Sequence, residues 1–102
     1  MPYQISIDLG TANTVFVDNK NGVILDEPSV IAFQIKDGRK KLLAVGDDAK
    51  LMLGKTPDSI LAVRPMSDGV IADFDAASQM IGAFFKKVLS RFSLTKPIVY
   101  VC

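Results

Sequence analysis

Hydrophobic and polar positions alternate over Gln4–Leu9 (QISIDL), where Ile5, Ile7 and Leu9 fall on one side. A period of two predicts a β-strand. Thr14–Asp18 (TVFVD) is a second strand pattern, rich in β-branched and aromatic residues. The connector Gly10-Thr11-Ala12-Asn13 is short and turn-prone, so the two strands should pair as an antiparallel hairpin. Asn19-Lys20-Asn21-Gly22 predicts a second turn. The chain then returns through Val23-Ile24-Leu25 and Ser29 to Ile35, completing a three-stranded meander.

Asp37-Gly38 predicts a hairpin turn between Val30–Ile35 and Lys41–Val45. Asp47 and Asp48 open a short helix, because carboxylates favour a helix N-terminus, and Gly54 followed by Pro57 closes it. Ile60–Val63 is a brief strand pattern ended by Pro65. The longest helix is expected from Ala76 to about Arg91, with Asp75 as its N-cap. Ala77, Met80, Ile81, Phe84, Phe85, Val88 and Leu89 form an apolar stripe at helical spacing that should pack on the sheet. Pro97–Cys102 (PIVYVC) is a continuous apolar run, the pattern of a strand buried on both faces. Antiparallel strands, a small inserted unit, a helix and a buried strand together predict an α/β domain with a mixed sheet.

Composition narrows the function classes. The 102 residues are 49% hydrophobic, too apolar for a disordered chain. Twelve basic and eleven acidic residues give a net charge of +1, so no charge field points to nucleic acid. The basic cluster Lys36–Lys41 contains Asp37 and Gly38 and reads as a solvated turn. One cysteine, Cys102, and no histidine exclude an internal disulfide and a Cys/His zinc site. Met1-Pro2-Tyr3-Gln4 lacks a basic n-region, and no stretch approaches ~18 apolar residues, so the cytoplasm is the expected location.

The segment with chemistry in it is Asp8-Leu9-Gly10-Thr11-Ala12-Asn13-Thr14. Glycine allows a tight turn and close approach of an anion. The small residues after it let successive N–H groups face a phosphate. Thr11 and Thr14 add hydroxyls, Asn13 adds an amide, and Asp8 can hold the hydrated Mg²⁺ that accompanies a phosphate. An ordinary Gly/Asn turn also accounts for D-x-G-T taken alone. Elsewhere the bland readings are stronger. Asp73 and Asp75 belong to a helix start, Asp47-Asp48 to another, Arg64 to an exposed strand end, and Cys102 to a buried strand.

Three stretches together resemble the MreB family of bacterial actins. They are IDLGTANT at 7–14, EPSVIAF at 27–33 and AVGDDAKLMLGKTPDSILAVRPMSDGVIADFD at 44–75. The resemblance covers about Gln4 to Val101. It implies an actin-like (ribonuclease H-like) mixed sheet with a helix, corresponding to the amino-terminal part of domain I only. Residues 1–35 and 72–102 would be subdomain IA-like, with the phosphate hairpin at 8–14, and residues 36–71 a subdomain IB-like insertion. It also implies a filament-forming protein that maintains rod cell shape and guides cell-wall synthesis. ATP (or GTP) with Mg²⁺ would be its cofactor, with Asp8 holding the metal through water and Gly10, Thr11, Ala12, Asn13 and Thr14 lining the β- and γ-phosphates. No catalytic base is expected in this chain. Family members are several-fold longer, so 102 residues by themselves are expected to be incomplete and inactive. A sugar- or acetate-kinase-like phosphotransferase, or a chaperone ATPase of the same superfamily, is the alternative.

The same resemblance implies self-association into filaments, membrane proteins of cell elongation such as MreC and RodZ as partners, and peripheral attachment to the inner face of the cell membrane. Arg91-Phe92-Ser93-Leu94-Thr95-Lys96 puts Phe92 and Leu94 between basic residues in a connector, with Lys86 and Lys87 upstream. Apolar residues framed by cations suit an anionic bilayer surface. Phe92 also continues the helix stripe four residues after Val88, which would turn it inward.

Overall fold

A computed structural model of the chain describes residues 4–54, 59–92 and 98–101, with side chains over 4–54 and 59–91. In chain order the elements are β1 (Gln4–Leu9), β2 (Asn13–Asp18), β3 (Gly22–Pro28), β4 (Ile31–Lys36), β5 (Arg39–Val45), α1 (Asp47–Lys50), β6 (Ile60–Val63), β7 (Met66–Ser67), β8 (Val70–Ile71), α2 (Phe74–Phe92) and β9 (Ile98–Val101).

The alternating pattern does form strands. β1 pairs antiparallel with β2, and β2 with β3. β9 joins β1 in parallel, so the sheet β3-β2-β1-β9 is mixed. Whether the apolar run of β9 is buried on both faces lies outside the described side chains. The return strand differs from the expected single run. It divides after Pro28, with β3 in the first sheet and β4 in a second, β5-β4-β6. Pro28 has no N–H to extend a ladder, and the N–H of Ser29 is drawn sideways to the carbonyl oxygen of Ala12 at 2.9 Å.

α2 covers one face of the first sheet. Its Ala76, Ala77, Met80, Phe84 and Val88 are buried, with Ile81, Phe85 and Leu89 packed beside them. They meet Ile5, Ile7, Phe16, Ile24 and Leu25 from the strands. A bulge between Phe16 and Val17 inserts Ile24, and both Ile24 and Leu25 are buried as a result. Phe16 stands edge-on to Phe84, with ring centroids 6.3 Å apart at 78°. Ile31, Phe33 and Val45 carry this core into the second sheet. Ala32 faces the other way and packs with Val30 against Ala49 of α1.

Two details correct the sequence reading. Asp73, not Asp75, caps α2: its Oδ1 accepts the N–H of Ala76 at 3.0 Å. The helix starts at Phe74, so Ala76 is the third helical residue, the usual partner of an N-cap carboxylate. Asp75 lies one step inside, where it accepts from Gln79 Nε2 at 3.0 Å. Asp73→Ala should therefore cost about 1 kcal/mol, and Asp75→Ala only a few tenths. Thermal unfolding of the two variants checks the order. The second correction is β7–β8, a minimal hairpin around Asp68-Gly69 that the strand patterns did not predict. Asp68 and Gly69 both have positive φ, as Asp37 and Gly38 do in the expected β4–β5 turn.

Candidate functional site

The β1–β2 turn is built around one close approach. The N–H of Gly10 donates to the carbonyl oxygen of Asn13 at 3.0 Å. A Cβ on Gly10 would stand 2.6 Å from that same oxygen, so any other residue must open the turn. Thr11, Ala12 and Asn13 are exposed at its tip. The amides of Thr11 and Ala12 make no hydrogen bond to the described residues.

Among the described residues, five longer-range hydrogen bonds hold this tip. Ser29, fully buried, donates its hydroxyl to the Gly10 carbonyl oxygen at 2.7 Å and its N–H to the Ala12 carbonyl oxygen. Thr14, also fully buried, places Oγ1 2.8 Å from Ser29 Oγ. Gly69 at the β7–β8 turn donates its N–H to Thr11 Oγ1 at 2.7 Å. On the sheet face away from α2, Asn13 donates its side-chain amide to Asp26 Oδ1 at 3.0 Å.

Asp8 is the second acidic residue near the turn, after Asp26. It pairs with Val15 across β2, and Val15 pairs with Asp26, so Asp8, Val15 and Asp26 share the uncovered face. Asp8 is exposed and makes no ion pair among the described residues. The structure thus brings Asp8, Gly10, Thr11, Ala12 and Asn13 to the exposed end of the β1–β2 hairpin. It places the Thr14 side chain beneath them, in the packing.

The donor set fits an anion with a hydrated cation. Mg²⁺ keeps much of its water and takes one or two carboxylates together with phosphate oxygens. The exposed Asp8 carboxylate, which makes no ion pair among the described residues, and two amides without a partner among them match that demand. A closed metal cage does not form: no group of three or more ligating side chains occurs among the described residues.

Ser29, Glu27 and Asp26 were not singled out from the sequence. Glu27 is largely buried and accepts from Lys87 Nζ at 3.1 Å on each carboxylate oxygen, and from the Asp47 N–H at 3.1 Å. It ties β3 to α2 and to the start of α1. The signal was EPS at 27–29: an acid and a hydroxyl flanking a proline at the end of an apolar strand. Lys87 is engaged by Glu27, while Lys86 and Arg91 are exposed. Arg64 is exposed at the end of β6, as expected. Leu94, Cys102 and the Phe92 side chain lie outside the described residues. No described helix is long and apolar enough to cross a membrane.

The family profile for MreB/Mbl protein matches residues 2–102. The cell shape-determining protein MreB of Pasteurella multocida is 54% identical over 101 residues, covering 96% of this chain and 29% of that protein. Mbl of Bacillus subtilis is 44% identical over 98 residues, with the same coverage of 96% and 29%. The crystal structure of Spiroplasma citri MreB5 bound to AMPPNP superposes with a TM-score of 0.77 at 37% identity, over 99% of this chain and 30% of that one. A MamK double helical filament shares the fold at a TM-score of 0.66 and 20% identity, over 100% of this chain and 31% of that one. The chain spans about 29% of the length of the curated relatives it matches. Its sheet order, its turn and these likenesses agree, and the chain belongs to the MreB/Mbl family, whose amino-terminal portion it represents.

Proposed function

We propose that this chain is the amino-terminal part of a nucleotide-binding, filament-forming bacterial actin that maintains rod shape and guides cell-wall synthesis. The observation that carries the reading is the Gly10–Asn13 turn. Its Thr11 and Ala12 amides have no partner among the described residues, its tip is exposed, and the exposed Asp8 lies two residues before it. The Spiroplasma relative was solved with AMPPNP, and a phosphate-bearing nucleotide suits the same turn here.

In this reading Gly10, Thr11, Ala12 and Asn13 line the β- and γ-phosphates of ATP or GTP. Asp8 would hold the hydrated Mg²⁺, and Thr14 would support the loop from below. The metal would supply charge neutralisation at the phosphates. The chain's own part is to present N–H groups and exclude bulk at Gly10. Residues 1–35 and 72–102 act as subdomain IA and residues 36–71 as subdomain IB. Self-association into filaments belongs to the same proposal, supported by the shared fold of the MamK filament. So do a cytoplasmic location with peripheral membrane attachment through Phe92 and Leu94, and the elongation partners MreC and RodZ.

Phosphoryl transfer needs positioning from every side of the phosphate and its metal, and this chain offers one wall. The 102-residue chain should show no micromolar affinity for Mg-ATP in calorimetric titration. Residues 1–102 joined to the carboxy-terminal remainder of Pasteurella multocida MreB should bind Mg-ATP and sediment as filaments. Micromolar binding by a verified monomer of the short chain would overturn its incompleteness. An extended protein that folds but neither binds nor sediments would overturn the function.

A further inference from the structure

We infer that Ser29 is a positioning residue for the phosphate-facing amides of the β1–β2 turn, an inference that rests on the phosphate reading of that turn. Ser29 lies 19 residues from Gly10 and is fully buried, so it touches no ligand itself. It acts through two carbonyl groups. Its hydroxyl holds the Gly10 oxygen at 2.7 Å and its N–H holds the Ala12 oxygen at 2.9 Å.

A trans peptide is planar, and its C=O and N–H point in opposite directions. Fixing the Gly10 carbonyl toward Ser29 therefore turns the Thr11 N–H away from Ser29. Fixing the Ala12 carbonyl turns the Asn13 N–H away from β3 in the same manner. One residue behind the turn thus sets the direction of two amides on either side of Ala12. An anion site built from backbone amides also needs its carbonyl oxygens withdrawn, because each carries partial negative charge. Ser29 withdraws two of them.

The hydroxyl relay has a definite direction. A serine hydroxyl has one hydrogen, and Ser29 spends it on the Gly10 oxygen, which can only accept. Thr14 must therefore be the donor in its 2.8 Å contact with Ser29 Oγ. The chain runs from Thr14 O–H to Ser29 O–H to Gly10 C=O, and each bond polarises the next. Thr14 thus belongs to the same device, one step removed.

The test uses the 102-residue chain, labelled with ¹⁵N, in three forms: unaltered, Ser29→Ala and Thr14→Val. Inorganic pyrophosphate with Mg²⁺ is the probe, followed by amide shifts at millimolar concentration. In the unaltered chain the Thr11, Ala12 and Asn13 amides should shift. Ser29→Ala should weaken that response at least tenfold, and Thr14→Val less, with the Ile5 and Phe16 amides unchanged in all three. Hydrogen exchange at Gly10 should quicken at least tenfold in Ser29→Ala, reporting the loosened turn without any ligand. Shifts and Gly10 exchange undiminished in a folded Ser29→Ala chain overturn the role of Ser29 alone. If Ser29→Ala does not fold, the relay variant decides: an unaltered response in Thr14→Val overturns the relay, and a weakened one supports it. Absence of any shift in both the unaltered chain and the protein extended with the Pasteurella multocida remainder overturns the phosphate reading itself, and the inference falls with it.

Discussion

Phe84→Ala should cost the chain about 3–5 kcal/mol of folding stability, the usual range for removing a fully buried phenylalanine. Phe84 is 0% exposed at the middle of α2 and meets Phe16 edge-on from β2. Truncation removes that ring contact and leaves a cavity between helix and sheet. The neighbours cannot collapse into it easily, because Met80 and Val88 on the same stripe are themselves fully packed. Total stability for a domain of this size is about 5–15 kcal/mol, so the variant should be largely unfolded under mild denaturant. Urea titration followed by circular dichroism measures the loss. A midpoint change equivalent to less than about 1 kcal/mol would show that α2 is not seated on the sheet through this ring.

Gly46→Ala should cost about 2–4 kcal/mol, from two sources that can be separated. Gly46 joins β5 to α1 with φ 66° and ψ −134°, a backbone region essentially closed to L residues. A Cβ there would also run into the Glu27 carboxylate. Moving that carboxylate breaks its bonds to Lys87 Nζ and to the Asp47 N–H. Lys87 is about one-third exposed, so its share is discounted for solvent screening. Glu27→Ala removes the obstacle but not the backbone strain. In the double variant the two costs should therefore fall short of adding, by about 1 kcal/mol or more. Simple additivity would mean that Glu27 does not set the geometry at Gly46.

These two sites differ in how legible they were. Phe84 sits in a stripe that anyone can read, since residues three and four apart on a helix share a face and the apolar ones seek the core. The same holds for the period-two strands β1 and β2, the Asp37-Gly38 turn and the carboxylates that open α1. Each depends on neighbours a few residues away, and local sterics decide it. The hairpin at 8–14 was legible for the same reason: a glycine and small residues between two strand patterns permit a tight reversal that bulkier residues would resist.

The helix cap shows where local rules become ambiguous. Asp73 and Asp75 are both good capping residues two positions apart, and either can start a helix with the same apolar stripe. Only the approach of the chain from Pro65, whose carbonyl oxygen accepts the Ala72 and Asp73 N–H groups, selects Asp73. The β7–β8 hairpin was missed because two-residue strands are too short to show a period.

By itself the amino-acid order determined the longer period-two strands and the long helix, which faces are apolar, and that one turn is made of glycine and small residues. The tertiary structure alone decided what stands behind that turn. Ser29 reaches Gly10 across 19 residues, Gly69 reaches Thr11 across 58, and Lys87 reaches Glu27 across 60. No periodicity or spacing encodes such pairs. Their partners meet because the sheet order and the packing of α2 fix distances that the intervening chain leaves free. A hydrogen bond's direction then follows from which donor and acceptor those distances bring together.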